Sequence, residues 1–166
     1  LTLILHSISD FERISDHAHS IACSADEIDK KGLSFSADAR AEIETISRAV
    51  RDICGLTTEA FCTEQLGTAT HVEPLEEVVD DLTKQIKANH IERLQEGRCT
   101  IEMGFILEDV LNSLERVSDH CSNIAVEMIT IFANDYNPHE YFKSLPADER
   151  KRFDEEFEAL TKAYSL

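Results

Sequence analysis

Backbone breakers are scarce: glycine occurs five times and proline three times in 166 residues. They fall at plausible boundaries, and no alternating strand pattern of any length appears between them, which leaves long intervals for helices. Basic residues are also few, 16 against 33 acidic, for a net charge of −17. Such a surface repels phosphate backbones and anionic leaflets, so nucleic acid is excluded as a partner and unaided membrane adhesion is disfavoured. There is no glycine-rich phosphate loop and no arginine cluster, so capture of a free phosphate anion is disfavoured too. Cations are the better small partners.

Cys-x-x-Cys spacing is missing as well. The five cysteines (23, 54, 62, 99 and 121) are odd in number and read as reduced, partly buried thiols of a cytoplasmic protein, not a disulfide frame or thiolate zinc site. The apolar opening from Leu1 to Ile8 is far shorter than the ~20 residues of a membrane helix, and no signal peptide is visible. Since the first residue is Leu, the chain reads as a soluble piece of something longer.

What the chain does have is an internal repeat. Glu12 to Ala22 and Glu115 to Ala125 match at a constant offset of 103 positions, with seven identities in eleven places and an Ile14/Val117 exchange. Each copy holds a Glu and an Asp four apart, which a helix places on one face, about 5–6 Å between Cβ atoms.

Apolar spacing of three and four residues predicts five helices. The first spans roughly 1–30, with Ile4, Ile8, Phe11, Ala18 and Ala22 on one side, and ends near Gly32. Ser36 is a good N-cap for the second, with Asp38 in its first turn and Ile43, Ile46, Val50, Ile53 and Phe61 as its stripe. The third begins near Pro74, carries Leu75, Val78, Leu82, Ile86 and Asn89, and closes at Gly97. The fourth runs from about Thr100 to Phe132, with Leu107, Val110, Leu114, Val117, Cys121, Ile124, Met128 and Ile131 in the pattern of antiparallel bundles. Asn134 to Pro138 reads as a loop, and a fifth helix from about Leu145 buries Phe153, Phe157, Leu160 and Tyr164.

The second to fourth helices form an up-down-up trio ending in the second motif copy. The first helix is then the last member of an equivalent trio, and the chain holds one and a third units of about 100 residues. An orphaned helix leaves an apolar stripe to be covered by the fifth helix or by a second copy of the chain, as a homodimer.

Stepping 100° per residue gathers Glu108, Asn112, Glu115, Asp119 and Ser122 on one flank of the fourth helix, with Arg116 and His120 on the other side. On the third helix Glu76 and Asp80 stand in the same relation beside the stripe, and Glu77 and Asp81 form a second pair on the opposite flank. Two antiparallel neighbours, each with an oxygen pair, suit Mg²⁺, Ca²⁺, Mn²⁺ or iron. The bland reading is solvated acids, some paired with Arg13 or Arg116; duplication of the whole context keeps metal in play beside it. His17 and His120 point about 100° away from the acids and read as packing or hydrogen-bonding histidines. His19 shares the face of Glu12, but Ser122 replaces it in the second copy, and His90 packs the end of the third helix.

Glu-Arg-Ile-Ser-Asp-His followed by Ile-Ala resembles the third-helix signature of PhoU-like domains, Glu-Arg-(Ile/Val)-(Gly/Ser)-Asp-His. The resemblance implies two three-helix repeats whose acidic motifs can hold multinuclear metal clusters. It carries over onto Glu12 and Asp16 in the first copy, and Glu76, Asp80, Glu115 and Asp119 in the second. More narrowly, Glu73-Pro74-Leu75-Glu76, the stretch His90 to Thr100, Asp119 to Ala125 and the ending Lys162 to Leu166 resemble the cytoplasmic C-terminal region of bacterial sodium/phosphate cotransporters.

The expectation is therefore an all-α antiparallel bundle of PhoU-like repeats: 1–32 the last helix of a truncated first repeat, 33–133 a complete second repeat, and 134–166 a loop and C-terminal helix. The resemblance implies a non-enzymatic regulatory domain at the cytoplasmic face of the membrane, acting on the membrane region of a phosphate transporter or on a phosphate-signalling protein. Truncation leaves Glu12 and Asp16 without a second-helix partner. A freestanding PhoU-like regulator is the alternative, and a phosphoester hydrolase using carboxylate-bound metal stands behind it.

Overall fold

The computed structural model describes residues 2–133 and 147–166, with the side chain of residue 133 left aside. Helices α1 (Thr2–Lys31), α2 (Ala37–Thr63), α3 (Leu66–Ala69), α4 (Val72–Gln95), α5 (Ile101–Ala133) and α6 (Ala147–Ala163) make up an all-α bundle. No strand occurs among the described residues. The loop at Asn134 to Pro138 and a helix start at Leu145 lie outside them. The four-residue α3 adds to the five helices that the spacing predicts.

Chain ends of the helices follow their sequence signals. Ser36 accepts a hydrogen bond from the Ala39 amide at 3.2 Å and caps α2, and Thr100 does the same for Met103 in α5. Gly97, at φ +69°, reverses the chain after α4, and the Arg98 amide bonds back to the Arg93 carbonyl at 2.8 Å. Without a Cβ, glycine takes this left-handed conformation at little cost.

The core lies among α2, α4 and α5. Ile46, Val50, Ile53, Leu75, Val78, Leu82, Ile86, Leu107, Leu111, Leu114, Ile124 and Met128 are all buried there, while Ile43, Phe61 and Ile131 are half-buried. Burying each large aliphatic side chain contributes about 1.5–3 kcal/mol. Near one end, buried Arg93 on α4 donates to both carboxylate oxygens of Glu42 on α2, at 2.8 and 2.7 Å, and Asn89 donates to the same carboxylate at 2.8 Å. Helix α6 packs on α4. Tyr164 is buried and donates to Asp52, and Glu156 meets His71 at 2.7 Å; Phe153, Phe157 and Leu160 are only half-buried.

Helix α1 lies antiparallel along α5, with Ser7 donating to Glu127 at one end and Lys31 to Glu102 at the other. Its inward positions are Leu3, Ser7, Asp10, Phe11, Ile14, His17, Ile21, Ser24 and Ile28, spaced three and four apart apart from the adjacent Asp10 and Phe11. The expected stripe is therefore corrected: Ile4, Ile8, Ala18 and Ala22 are exposed. Shifted by 103 positions they correspond to Leu107, Leu111, Cys121 and Ala125, each buried. On α5 that face is covered by α2 and α4, whereas on α1 no equivalent pair covers it among the described residues. Nor does α6 cover it.

Removing one partner of a buried ion pair strands the other. Glu42→Ala should cost about 3–5 kcal/mol in urea unfolding because the Arg93 guanidinium stays buried without its carboxylate. Lys30→Ala, which removes an exposed pair with Asp26, should leave the midpoint unchanged; equal costs would reject this account of the bundle end.

Candidate functional site

The hairpin of α4 and α5 sets two acidic flanks side by side in opposite directions. Successive crossings pair Lys87 with Glu108 at 3.0 Å near the turn and Ser122 with Glu73 at the far end. Between them, Glu76 and Asp80 on α4 meet Asp119 on α5, with one oxygen from each lying within 4.8 Å of the others. All three side chains are half-buried. The two α4 residues are four apart, so one helical face presents both to the neighbour.

Not every expected acid joins them. Glu115 is half-buried one turn before Asp119 but stands outside the group of three. Glu12 and Asp16 are exposed on α1, where Asp16 has only a loose pair with Arg13 at 3.9 Å. Glu77 is exposed, and Asp81 pairs with Lys84 at 3.2 Å. Arg116, placed on the opposite side by its angle, reaches round to donate to Asp119 at 2.9 Å. A long flexible side chain overrides its Cα direction.

Electrostatics mark the cluster as costly. Burial, then the charges of Glu73, Asp80, Glu77 and Asp119, push the Glu76 carboxyl up to about 8. Burial also raises Asp80, with Asp119 and Asp81 adding to it and Lys84 opposing. Glu73 is raised first by burial, although the Ser122 hydroxyl pulls the other way. An all-oxygen donor set under mutual repulsion has the composition that hard cations take. Helical spacing alone does not pick out Glu73; its place three residues before Glu76 is the signal the sequence offers.

A second polar group lies in the seam between α1 and α5. Asp10 is buried and accepts from His120 Nδ1 at 2.8 Å and from Asn123 at 3.3 Å. The His17 ring stacks on His120, with centroids 5.7 Å apart, so the two copies of the motif meet at their histidines. Burial, followed by His120, holds His17 below its ordinary range. By the repeat, the counterpart of Asp10 on α5 is Ser113, so the carboxylate serves one histidine only. His19 is exposed beside Cys23, and His90 is half-buried with Nδ1 3.7 Å from Cys99.

Residues 43–128 match the family model described as PhoU domain. The chain is 29% identical over 135 residues to the phosphate-specific transport system accessory protein PhoU homolog 1 of Thermotoga maritima, covering 77% of this chain and 54% of that protein. It is 27% identical over 128 residues to the phosphate-specific transport system accessory protein PhoU homolog of Deinococcus radiodurans, covering 75% and 57%. The chain thus spans about half the length of these curated relatives. No solved structure gives a significant match.

The raised carboxyl of Glu76 fixes the sign of a pH effect. Its folded value lies above its unfolded one, so the folded state binds more protons between about 4.5 and about 8, and stability falls as pH rises through that window. In chelator-treated buffer, Glu76→Gln should match the parent at low pH and exceed its thermal midpoint by an amount that grows towards pH 8. Parallel curves across the window would overturn this.

Proposed function

Because the chain belongs to the PhoU domain family, we propose that it is a regulatory, non-enzymatic domain acting on a phosphate transport system. Support comes from the names of its relatives and from one observation: the three converging acids, Glu76, Asp80 and Asp119, all fall inside the matched span, whereas Glu12 and Asp16 fall outside it. The domain is read as working through its helix surfaces on the membrane region of a transporter or on a phosphate-signalling protein, at the cytoplasmic face of the membrane. No described helix is long and apolar enough to cross a membrane, so contact with a transporter through these helices would be at a surface.

Two settings suit this reading. The stretches Glu73 to Glu76, His90 to Thr100 and Asp119 to Ala125 favour the C-terminal region of a sodium/phosphate cotransporter, with residues 1–32 serving as the last helix of one repeat and 33–133 as a full repeat. The accessory proteins among its relatives favour a freestanding regulator. Phosphoester hydrolysis has less behind it. A cavity of about 230 Å³ is lined by Ser36, His90, Arg98 and Cys99 at the other end of the hairpin, and none of the three acids lines it.

A divalent or iron-type cation would be held by Glu76, Asp80 and Asp119, with Glu73 and Glu115 beside them. Bound there, it would supply charge neutralisation and bridge α4 to α5. Without it the carboxylates keep this flank polar and repel one another across the α4–α5 contact.

Saturating Mn²⁺ at about a hundred times its Kd should raise the thermal midpoint by about 5–10 °C. Glu76→Gln combined with Asp119→Asn should abolish the rise, and Glu12→Gln combined with Asp16→Asn should leave it intact; an unshifted parent would remove the metal reading. For the regulatory role, sodium-driven phosphate uptake is measured in cells with and without the co-expressed chain. A changed initial rate is expected, and identical rates would reject it.

A further inference from the structure

Cys54 on α2 and Cys121 on α5 face each other inside the bundle with their sulfurs 3.8 Å apart, although 67 positions separate them in the chain. Cys121 is almost fully buried and Cys54 half-buried. The other cysteines stand differently: Cys23 and Cys62 are exposed, and Cys99 packs against His90. Among the described residues Cys54 and Cys121 are the thiol pair within hydrogen-bond reach of each other.

We infer that Cys54 and Cys121 are a redox modification site, forming an intrachain disulfide when the protein meets hydrogen peroxide. A disulfide needs its sulfurs about 2.05 Å apart, so the two must close by roughly 1.8 Å, within the 1–2 Å over which packed helices shift. Accessibility sets the order of events. The more open Cys54, as its thiolate, attacks one peroxide oxygen; the O–O bond breaks, and the departing oxygen takes up a proton and leaves as water. Cys54 is now a sulfenic acid. The Cys121 sulfur attacks the Cys54 sulfur, the S–O bond breaks, and a second water leaves carrying the Cys121 proton. Two thiols have lost two electrons, and one peroxide has gained them.

The bond would close a loop containing all of α4 and tie α2 to α5 two residues beyond Asp119. Closing a loop of this length restricts the unfolded chain more than a short one does. The oxidised form therefore holds α5 in the bundle more firmly than the reduced form.

The test treats the full chain with one equivalent of hydrogen peroxide, blocks remaining thiols with N-ethylmaleimide, and maps peptides without reductant. The expected result is a Cys54–Cys121 linked peptide, an intact mass lower by two hydrogens before alkylation, and a thermal midpoint several degrees higher that dithiothreitol reverses. Cys54→Ser, at the half-buried position, should keep the helical circular dichroism signal and lose the link. Cys54 found as a sulfinic acid with Cys121 still alkylated, or links formed only through Cys23 or Cys62, would overturn the inference.

Discussion

Leu107, Leu111, Leu114, Ile124 and Met128 spread apolar surface around more of α5 than a single neighbour can cover, and all of them are buried. Three helices are needed to shield it, and α1, α2 and α4 each take a side. The hydrophobic gain at this one helix sets the positions of the others. It also determines where charge goes. A chain with a net charge of −17 has to place many carboxylates, and the flank beside the α4–α5 contact is the nearest available edge. Glu76, Asp80 and Asp119 collect there because they flank the stripes that α4 and α5 bury against each other.

That arrangement has an energetic tension. Apolar contact draws α4 and α5 together, while the acids along their shared edge push apart. Lys87 relieves the repulsion near the turn through Glu108, and Arg116 relieves part of it at Asp119. Glu76 has no cation within salt-bridge distance among the described residues, and burial with its acidic neighbours pushes its carboxyl up to about 8. A proton here serves the electrostatic purpose that the proposed cation would serve, so affinity for that cation would depend on pH.

Much of this was legible in the residues. Three- and four-residue spacing gave α2, α4 and α5 with their buried faces, and Ser36 and Gly97 marked ends that the structure keeps. The fifth helix was legible in its Phe and Leu spacing, though not its shallow burial against α4. Helix α3 was not, because four residues are too few to show a period. On α1 two apolar faces compete: Ile4 and Ile8 belong to the face that the repeat buries on α5, while the face used here includes Asp10 and His17, which no apolar pattern would choose. The acid pairs were legible as pairs. Which of them converge depends on the register between helices, so Asp119 joined Glu76 and Asp80 while Glu115 did not. Partnerships such as Glu42 with Arg93, 51 positions apart, leave no local trace at all.

Helix α1 rests chiefly on α5, with Phe11 against Phe61 of α2 as a side contact. Its seam includes Ser7, Asp10, His17 and Ser24 in place of aliphatic side chains, so each turn contributes less than a turn of α4. A segment docked chiefly on one partner through a mixed seam should open before the α2–α4–α5 unit does, at the cost of baring one side of α5, and its amide protons should then exchange below the global unfolding free energy.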